Sequence, residues 1–212
     1  MTIWDKIYRD YQSGGPAWAS LKEGLNPSFI EFIEQNDFAI KNALDIGCGD
    51  GRYLLFLMNK GFTITGLDSS SAAVSMATKD AEQSGQFIVA DMYDYQYQTM
   101  TYDLVISHAA LHHDLKAKVV SLVEKIHSLL VVNGRIFLSL PNDDCKTNWA
   151  MMDGHETLPD GTCIPMQGPE KGLPHSFFSR QEIDTLFRRK YGDLAIKLDD
   201  RGRWIITGQK RA

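Results

Sequence analysis

The chain is short of several things. It has only three cysteines, Cys48, Cys145 and Cys163, in 212 residues. An odd and sparse set makes no paired disulfide framework and suits a reducing compartment. No apolar run approaches the ~18–20 residues that a membrane-spanning helix needs. There is no surplus of positive charge: 22 lysines and arginines face 27 acids, a net charge of -5. That balance argues against a basic face tracking nucleic-acid phosphates. The opening stretch MTIWDKIYRDYQSGG is too polar and acidic for a secretory signal, so a cytoplasmic location is expected. Internal repeats and low-complexity tracts are also missing. What remains, 43% hydrophobic and 23% charged residues, describes a globular chain long enough for one ordinary domain.

The rhythm of the chain predicts its layers. Trp4, Ile7, Tyr8 and Tyr11 recur at helical steps in an aromatic N-terminal arm that also holds Trp18. NPSFIEFIEQN reads as a helix, with Ser28 as candidate cap. From Ala43 strand and helix patterns alternate: ALDIG, FTITGLD, QFIVAD, YDLVISH and RIFLSLP are strand-like. GRYLLFLMNK, SSSAAVSMATKDAEQSG and LKAKVVSLVEKIHSLLVVNG between them are helical, the last closed by Asn133-Gly134. Such alternation predicts a doubly wound, mostly parallel Rossmann-like α/β sheet of seven strands. Residues 141–174 hold five prolines and no period, which marks a lid or binding loop. Ser179 and Glu182 form a capping box for a last helix. LAIKLDD and RWIITGQK then make a C-terminal antiparallel hairpin about Arg201-Gly202. The expected organisation is a single domain: arm and helix to residue 41, a ligand-binding core over 42–140, a lid over 141–174, and a closing helix and hairpin over 175–212.

The chemistry concentrates in NALDIGCGDG. Its glycines, Gly47, Gly49 and Gly51, alternate as G-x-G-x-G, whereas a dinucleotide loop is normally G-x-G-x-x-G. Carboxylates at Asp45 and Asp50 would repel a pyrophosphate and favour a ligand carrying an amino group. Asp68 ends the second strand, where a carboxylate accepts the hydroxyls of a ribose. Asp91 ends the third and is placed to accept from an adenine amino group, with Met92 against the ring.

With LDIGCGDG, GLDSS, ADMYDY, YDLVISHAALHH and GRIFLSLP in that order and spacing, the chain resembles the class I S-adenosylmethionine-dependent methyltransferases. The resemblance covers about half of it. It implies that S-adenosyl-L-methionine is the cofactor, bound at Asp45, Gly47 and Gly49 (methionine part), Asp68 (ribose), and Asp91 with Met92 (adenine). Cys48, Ser69 and Ser107 flank these positions and complete the expected cofactor set, Cys48 as a small packing residue rather than a nucleophile. A sulfonium is already an activated electrophile, so positioning a nucleophile in line with the methyl group is the main task. No metal is required, and none is expected.

The acceptor is expected to be a small molecule, the protein a monomer or homodimer. Methyltransferases that modify nucleic-acid amino groups usually carry an Asn/Asp-Pro-Pro-aromatic turn after the fourth strand; here the residues are Ser107-His108-Ala109-Ala110. His108, His112 and His113 in that loop are candidate base or ligand groups, and His108, nearest the strand, is the expected catalytic residue. Trp4, Tyr8 and Tyr11 either fold over the cofactor or pack on the sheet, and Arg9 is a candidate for the cofactor carboxylate. Asn142, Trp149, Met151, Met152 and His155 lie in the lid, with His175 at its end. A Cys145/Cys163/His155/His175 metal set has no spacing in its favour. The arm, WDKIY, is similar to that of the branch containing tellurite- and thiol-type methyltransferases. Rival readings are a cofactor-binding sensor without turnover and a nicotinamide-dependent oxidoreductase.

Overall fold

The computed structural model describes residues 1–15, 24–81, 85–144 and 154–211. Trp18, Cys145, Trp149, Met151 and Met152 therefore lie outside the described residues. Helix α1 (Ile3–Gln12) is followed by α2 (Pro27–Glu34) and β1 (Asn42–Ile46). Next come α3 (Arg52–Asn59), β2 (Thr63–Asp68), α4 (Ser71–Asp80), β3 (Gln86–Val89) and β4 (Tyr102–Ser107). Then follow α5 (Lys116–Leu129), β5 (Leu130–Pro141), the short β6 (His155–Thr157) and β7 (Cys163–Pro165), α6 (Arg180–Phe187), β8 (Tyr191–Leu198) and β9 (Arg203–Lys210).

Seven strands form one sheet in the order β3-β2-β1-β4-β5-β9-β8. The first five are parallel, while β9 runs antiparallel between β5 and β8. The doubly wound α/β sheet with a terminal hairpin is therefore present. Every residue of β4 is buried, as a central parallel strand covered on both faces requires. Alternation along the strands feeds two cores. Leu44, Ile46, Val105, Ile136 and Leu138 pack with α5 and α6; Ala43, Leu104, Ile106 and Phe137 pack with α2 and α3.

The order reverses at β1: β2 and β3 extend one way and β4 and β5 the other. Ligands of open α/β sheets bind outside the carboxyl ends of the strands at such a switch point. The tips of β1 and β4 are the adjacent Ile46-Gly47 and Ser107-His108 steps.

Three local readings differ from the expectations. Asn26, not Ser28, caps α2: its side chain accepts from the Ser28 amide at 2.9 Å, and Pro27 takes the first helical position, where its missing N–H costs nothing. Helix α5 ends at Leu129, four residues before Asn133. Leu130 turns extended and pairs with Tyr102, and the β-branched Val131-Val132 continue as strand, while Asn133 adopts φ 65° inside β5. The lid segment contains a two-stranded ribbon, β6 with β7, that no alternation in its sequence signals. The Ser179–Glu182 capping box is formed, with both reciprocal bonds made.

Candidate active site

The glycine loop crosses the switch point on bare backbone. Gly47 sits at φ 77° and Gly49 at φ 55°, a region that side chains strain to enter. Space forbids them as well: a Cβ on Gly47 would overlap the Ala110 methyl, and one on Gly49 would overlap the Tyr8 hydroxyl. The amides of Gly47 and Cys48 both donate to the Leu67 carbonyl, at 2.7 and 2.9 Å. Asp68 completes the frame by accepting from the Gly49 amide at 2.9 Å and the Ser70 amide at 2.8 Å. One carboxylate thus ties the loop to the tip of β2.

Over this frame lies a cleft of 1520 Å³. Ligand pockets are typically ~300–1,000 Å³, so it has room for a nucleoside-sized ligand and a second molecule together. Of the residues expected to bind cofactor, Asp45, Gly47, Cys48, Gly49, Asp68, Ser69, Asp91 and Met92 all line it, as does His108. Ser107 does not. Its buried hydroxyl donates to the Ile46 carbonyl and joins β4 to β1, so it supports the floor from beneath. The reason is strand alternation: at the last residue of β4 the side chain points into the sheet's packing, and the chain first turns into the cleft at His108.

Electrostatically the floor is negative. Asp45 is 2% exposed, and its Oδ1 has no hydrogen-bond partner among the described residues. Burial, reinforced by the Asp68 and Asp50 carboxylates, pushes its carboxyl well above the ordinary range. Burial also raises Asp68, although the amides of Ser70 and Gly49 hold it back. Asp50 is neutralised by Arg52 at 2.7 Å. Cys48 is buried, and that burial raises its thiol well above the usual value, so a thiolate nucleophile is disfavoured. At the β3 end Asp91 is exposed and caps its own turn through the Tyr93 amide at 2.8 Å, with Met92 half-buried beside it.

The opposite wall is aromatic and imidazole-rich. His108 packs between Tyr53 and Phe137, with ring centroids 5.3 and 6.4 Å away. Burial, assisted by Arg203, pushes its pKa down to about 3, and its Nδ1 has no partner among the described residues. It is a neutral imidazole at physiological pH. Trp4 and Tyr8 of α1 line the cleft. Arg9 does not meet it. Its guanidinium is spent on Asp5 at 2.7 Å and on the Ser71 hydroxyl at 3.2 Å. Asp5 in turn accepts from the Ala72 amide and the Ser71 hydroxyl, docking α1 on the first turn of α4. No sequence signal marked Asp5, because an acid near the start of a helix is ordinary. Tyr53, Arg203 and Glu170, which also line the cleft, were equally unmarked. The Cys163/His155/His175 grouping does not assemble: His155 is exposed on β6, while buried Cys163 pairs through its backbone with His175.

Comparison with known proteins agrees with this geometry. Residues 43–134 match the family model described as a methyltransferase domain. They run from the first residue after Asn42 through the glycine loop, both acidic strand tips and α5. This core is thus similar in sequence to methyltransferase domains. A ubiquinone biosynthesis O-methyltransferase of Actinobacillus pleuropneumoniae is 31% identical over 157 residues, covering 65% of this chain and 64% of that protein. The chain therefore spans a little under two thirds of that curated relative. Among solved structures, a Pyrococcus horikoshii protein superposes over the whole of both chains with TM-score 0.77 at 15% identity. A Burkholderia thailandensis 1,6-didemethyltoxoflavin-N1-methyltransferase, solved with that molecule and S-adenosylhomocysteine, covers 99% of this chain and 88% of its own, with TM-score 0.68 and 16% identity. These likenesses establish the fold. Among the described residues, no helix is long and apolar enough to cross a membrane.

Proposed function

We propose that the chain transfers the methyl group of S-adenosyl-L-methionine to a small-molecule acceptor held in the same cleft. The observation that carries this reading is Asp45, a buried carboxylate with an unpartnered oxygen at the floor of a cleft that Asp68 also lines. A pyrophosphate would deepen that repulsion, whereas an ammonium and a sulfonium relieve it. The fit extends to the backbone, where Gly47 and Gly49 leave no room for side chains beneath a ligand. The bound cofactor supplies an activated methyl group.

The residues then divide the work. Asp45 offsets the amino group, and Asp68 uses its remaining lone pairs on the ribose hydroxyls. Asp91 and Met92 mark the adenine end. Tyr8, lying over Gly49, and Trp4 screen the reacting centre from water. His108 has a pKa too low for a strong general base, so it acts as a neutral hydrogen-bond acceptor that orients the nucleophile. Relatives named for O-methylation and a structural neighbour named for N-methylation both act on small molecules by their printed names, which supports that acceptor class. The narrower tellurite- and thiol-type assignment rests on the arm alone.

The test is incubation with labelled S-adenosylmethionine and a metabolite pool, following S-adenosylhomocysteine release. In the wild type release is expected above background. His108→Ala should lower kcat by about tenfold, below the 10²–10⁴-fold typical of a lost general base. Tight cofactor binding with no release across the pool would favour the sensor reading, and preferential binding of a nicotinamide dinucleotide would refute the assignment.

A further inference from the structure

The turn after β4 and the stretch before α6 bring together three histidines that no sequence spacing connects. One ring nitrogen from each of His112, His113 and His175 lies within 4.8 Å of the others. The rings lie close together, with centroids 3.8 Å apart and tilted for His112 and His113, and 5.0 Å apart and edge-on for His113 and His175. His112 is 3% exposed and His175 wholly buried.

Backbone carbonyls set the tautomers of two rings. His113 Nδ1 lies 2.9 Å from the Ala110 oxygen, and His175 Nδ1 lies 2.8 Å from the Leu173 oxygen. A carbonyl only accepts, so each Nδ1 carries the proton and each Nε2 is left with its lone pair when the ring is neutral. Metal-ligating histidines almost always hold their second nitrogen in this way. His175 Nε2 then faces Glu170 Oε2 at 2.6 Å, and both groups are buried. A neutral imidazole and a carboxylate so placed oppose two lone pairs, an arrangement that calls for a cation, a proton or a metal, between or beside them.

We propose that His112, His113 and His175, with Glu170 beside them, bind one divalent transition-metal ion in the wall of the cleft. Imidazole nitrogen and carboxylate oxygen suit zinc and iron(II) better than magnesium or calcium. Nitrogens bound tetrahedrally at 2.0–2.1 Å sit about 3.4 Å apart, so the rings close by roughly 1.4 Å at most on loading. Three imidazoles and the Glu170 carboxylate make four ligands, and such a site can expand to a fifth position for a donor from outside. His112, His113 and Glu170 line the cleft, which directs that position toward the space for the second molecule. The donor fits an oxygen or sulfur atom of the acceptor, whose pKa a metal would lower. Only this identification of the donor rests on the methyltransferase reading; the metal site itself does not.

The experiment is titration of the chelator-stripped full chain with zinc chloride against a chromogenic chelator, without cofactor. One zinc ion per chain is expected. Glu170→Gln, which keeps the shape of the side chain, and His113→Ala should each weaken binding by at least about tenfold. His155→Ala, on the exposed ribbon, should leave it unchanged. Thermal melts in chelator verify that each variant is folded before its titration is read, and cobalt(II) absorption gives an independent count in any variant that melts early. Absence of stoichiometric uptake, or equal uptake by wild type and both site variants, overturns the proposal and leaves Glu170 and His175 a proton-sharing pair. S-adenosylhomocysteine binding is measured separately in the stripped protein, so a failure of the cofactor reading is distinguished from a failure of the metal site.

Discussion

Replacing Asp68 with alanine isolates the ribose contact. The carboxylate accepts the Gly49 amide on Oδ2 and the Ser70 amide on Oδ1, and the Ser69 amide is also directed at it. A carboxylate has about four acceptor sites, so capacity remains for a ribose hydroxyl beside these amides. A hydrogen bond to a charged group contributes about 1.5–3 kcal/mol, and water entering the truncated site restores part of the loss. The expected net effect is about 1–3 kcal/mol, or roughly 5- to 150-fold in Kd for S-adenosylhomocysteine by isothermal titration. The same substitution releases the Gly49 amide, and a loosened loop would also weaken binding. The two causes separate with an analogue lacking both ribose hydroxyls. If Asp68 meets the ribose, the variant and the wild type bind that analogue with similar affinity. An equal penalty for both ligands would assign the whole effect to the loop, and unchanged affinity for the natural ligand would remove the ribose from this strand tip.

Two further outcomes concern protons. Asp45 has its pKa raised by burial and neighbouring carboxylates, and a bound ammonium would lower it again, so binding releases a proton. Affinity for S-adenosylhomocysteine should therefore rise with pH above the ordinary carboxylate value, and calorimetry in buffers of different ionisation enthalpy should detect the proton; Asp45→Asn behaving identically would refute this. His108 has the opposite relation to folding. Its folded pKa, about 3, lies below the unfolded value near 6.5, so between them the unfolded chain binds the extra proton and stability falls as pH falls. Relative to His108→Phe, the wild type should lose up to about 1.4 kcal/mol per pH unit below pH 6.5 in denaturant unfolding, and parallel stability curves for the two would contradict the burial argument.

How much of this was legible in the chain follows from the range of the forces involved. Strand ends are marked locally: an apolar run ends, a glycine or acid follows, and Asp45, Asp68 and Asp91 line one cleft as the alternation led one to expect. Ser107 lies outside the cleft lining because adjacency in sequence is not adjacency in space on a pleated strand; one residue decides whether a side chain faces the sheet or the cleft. Asn26 displaced Ser28 because the following proline fixes where a helix can begin. The long-range groupings carried no such mark. Asp5 on the first turn of α4, and His175 against His112 and His113, are contacts between segments whose sequences look ordinary alone. The lid shows the same thing most clearly. Its prolines and glycines announced an irregular segment, but they gave no sign of the ribbon within it or of the contact that His175 and Ser176 make with the turn after β4. A site assembled from one locally coded half, the acidic strand tips, and one half coded by tertiary contact is what a shared cofactor and a private acceptor would require. The first half must follow a common geometry, whereas the second is free to be built from whatever residues the lid brings over the cleft.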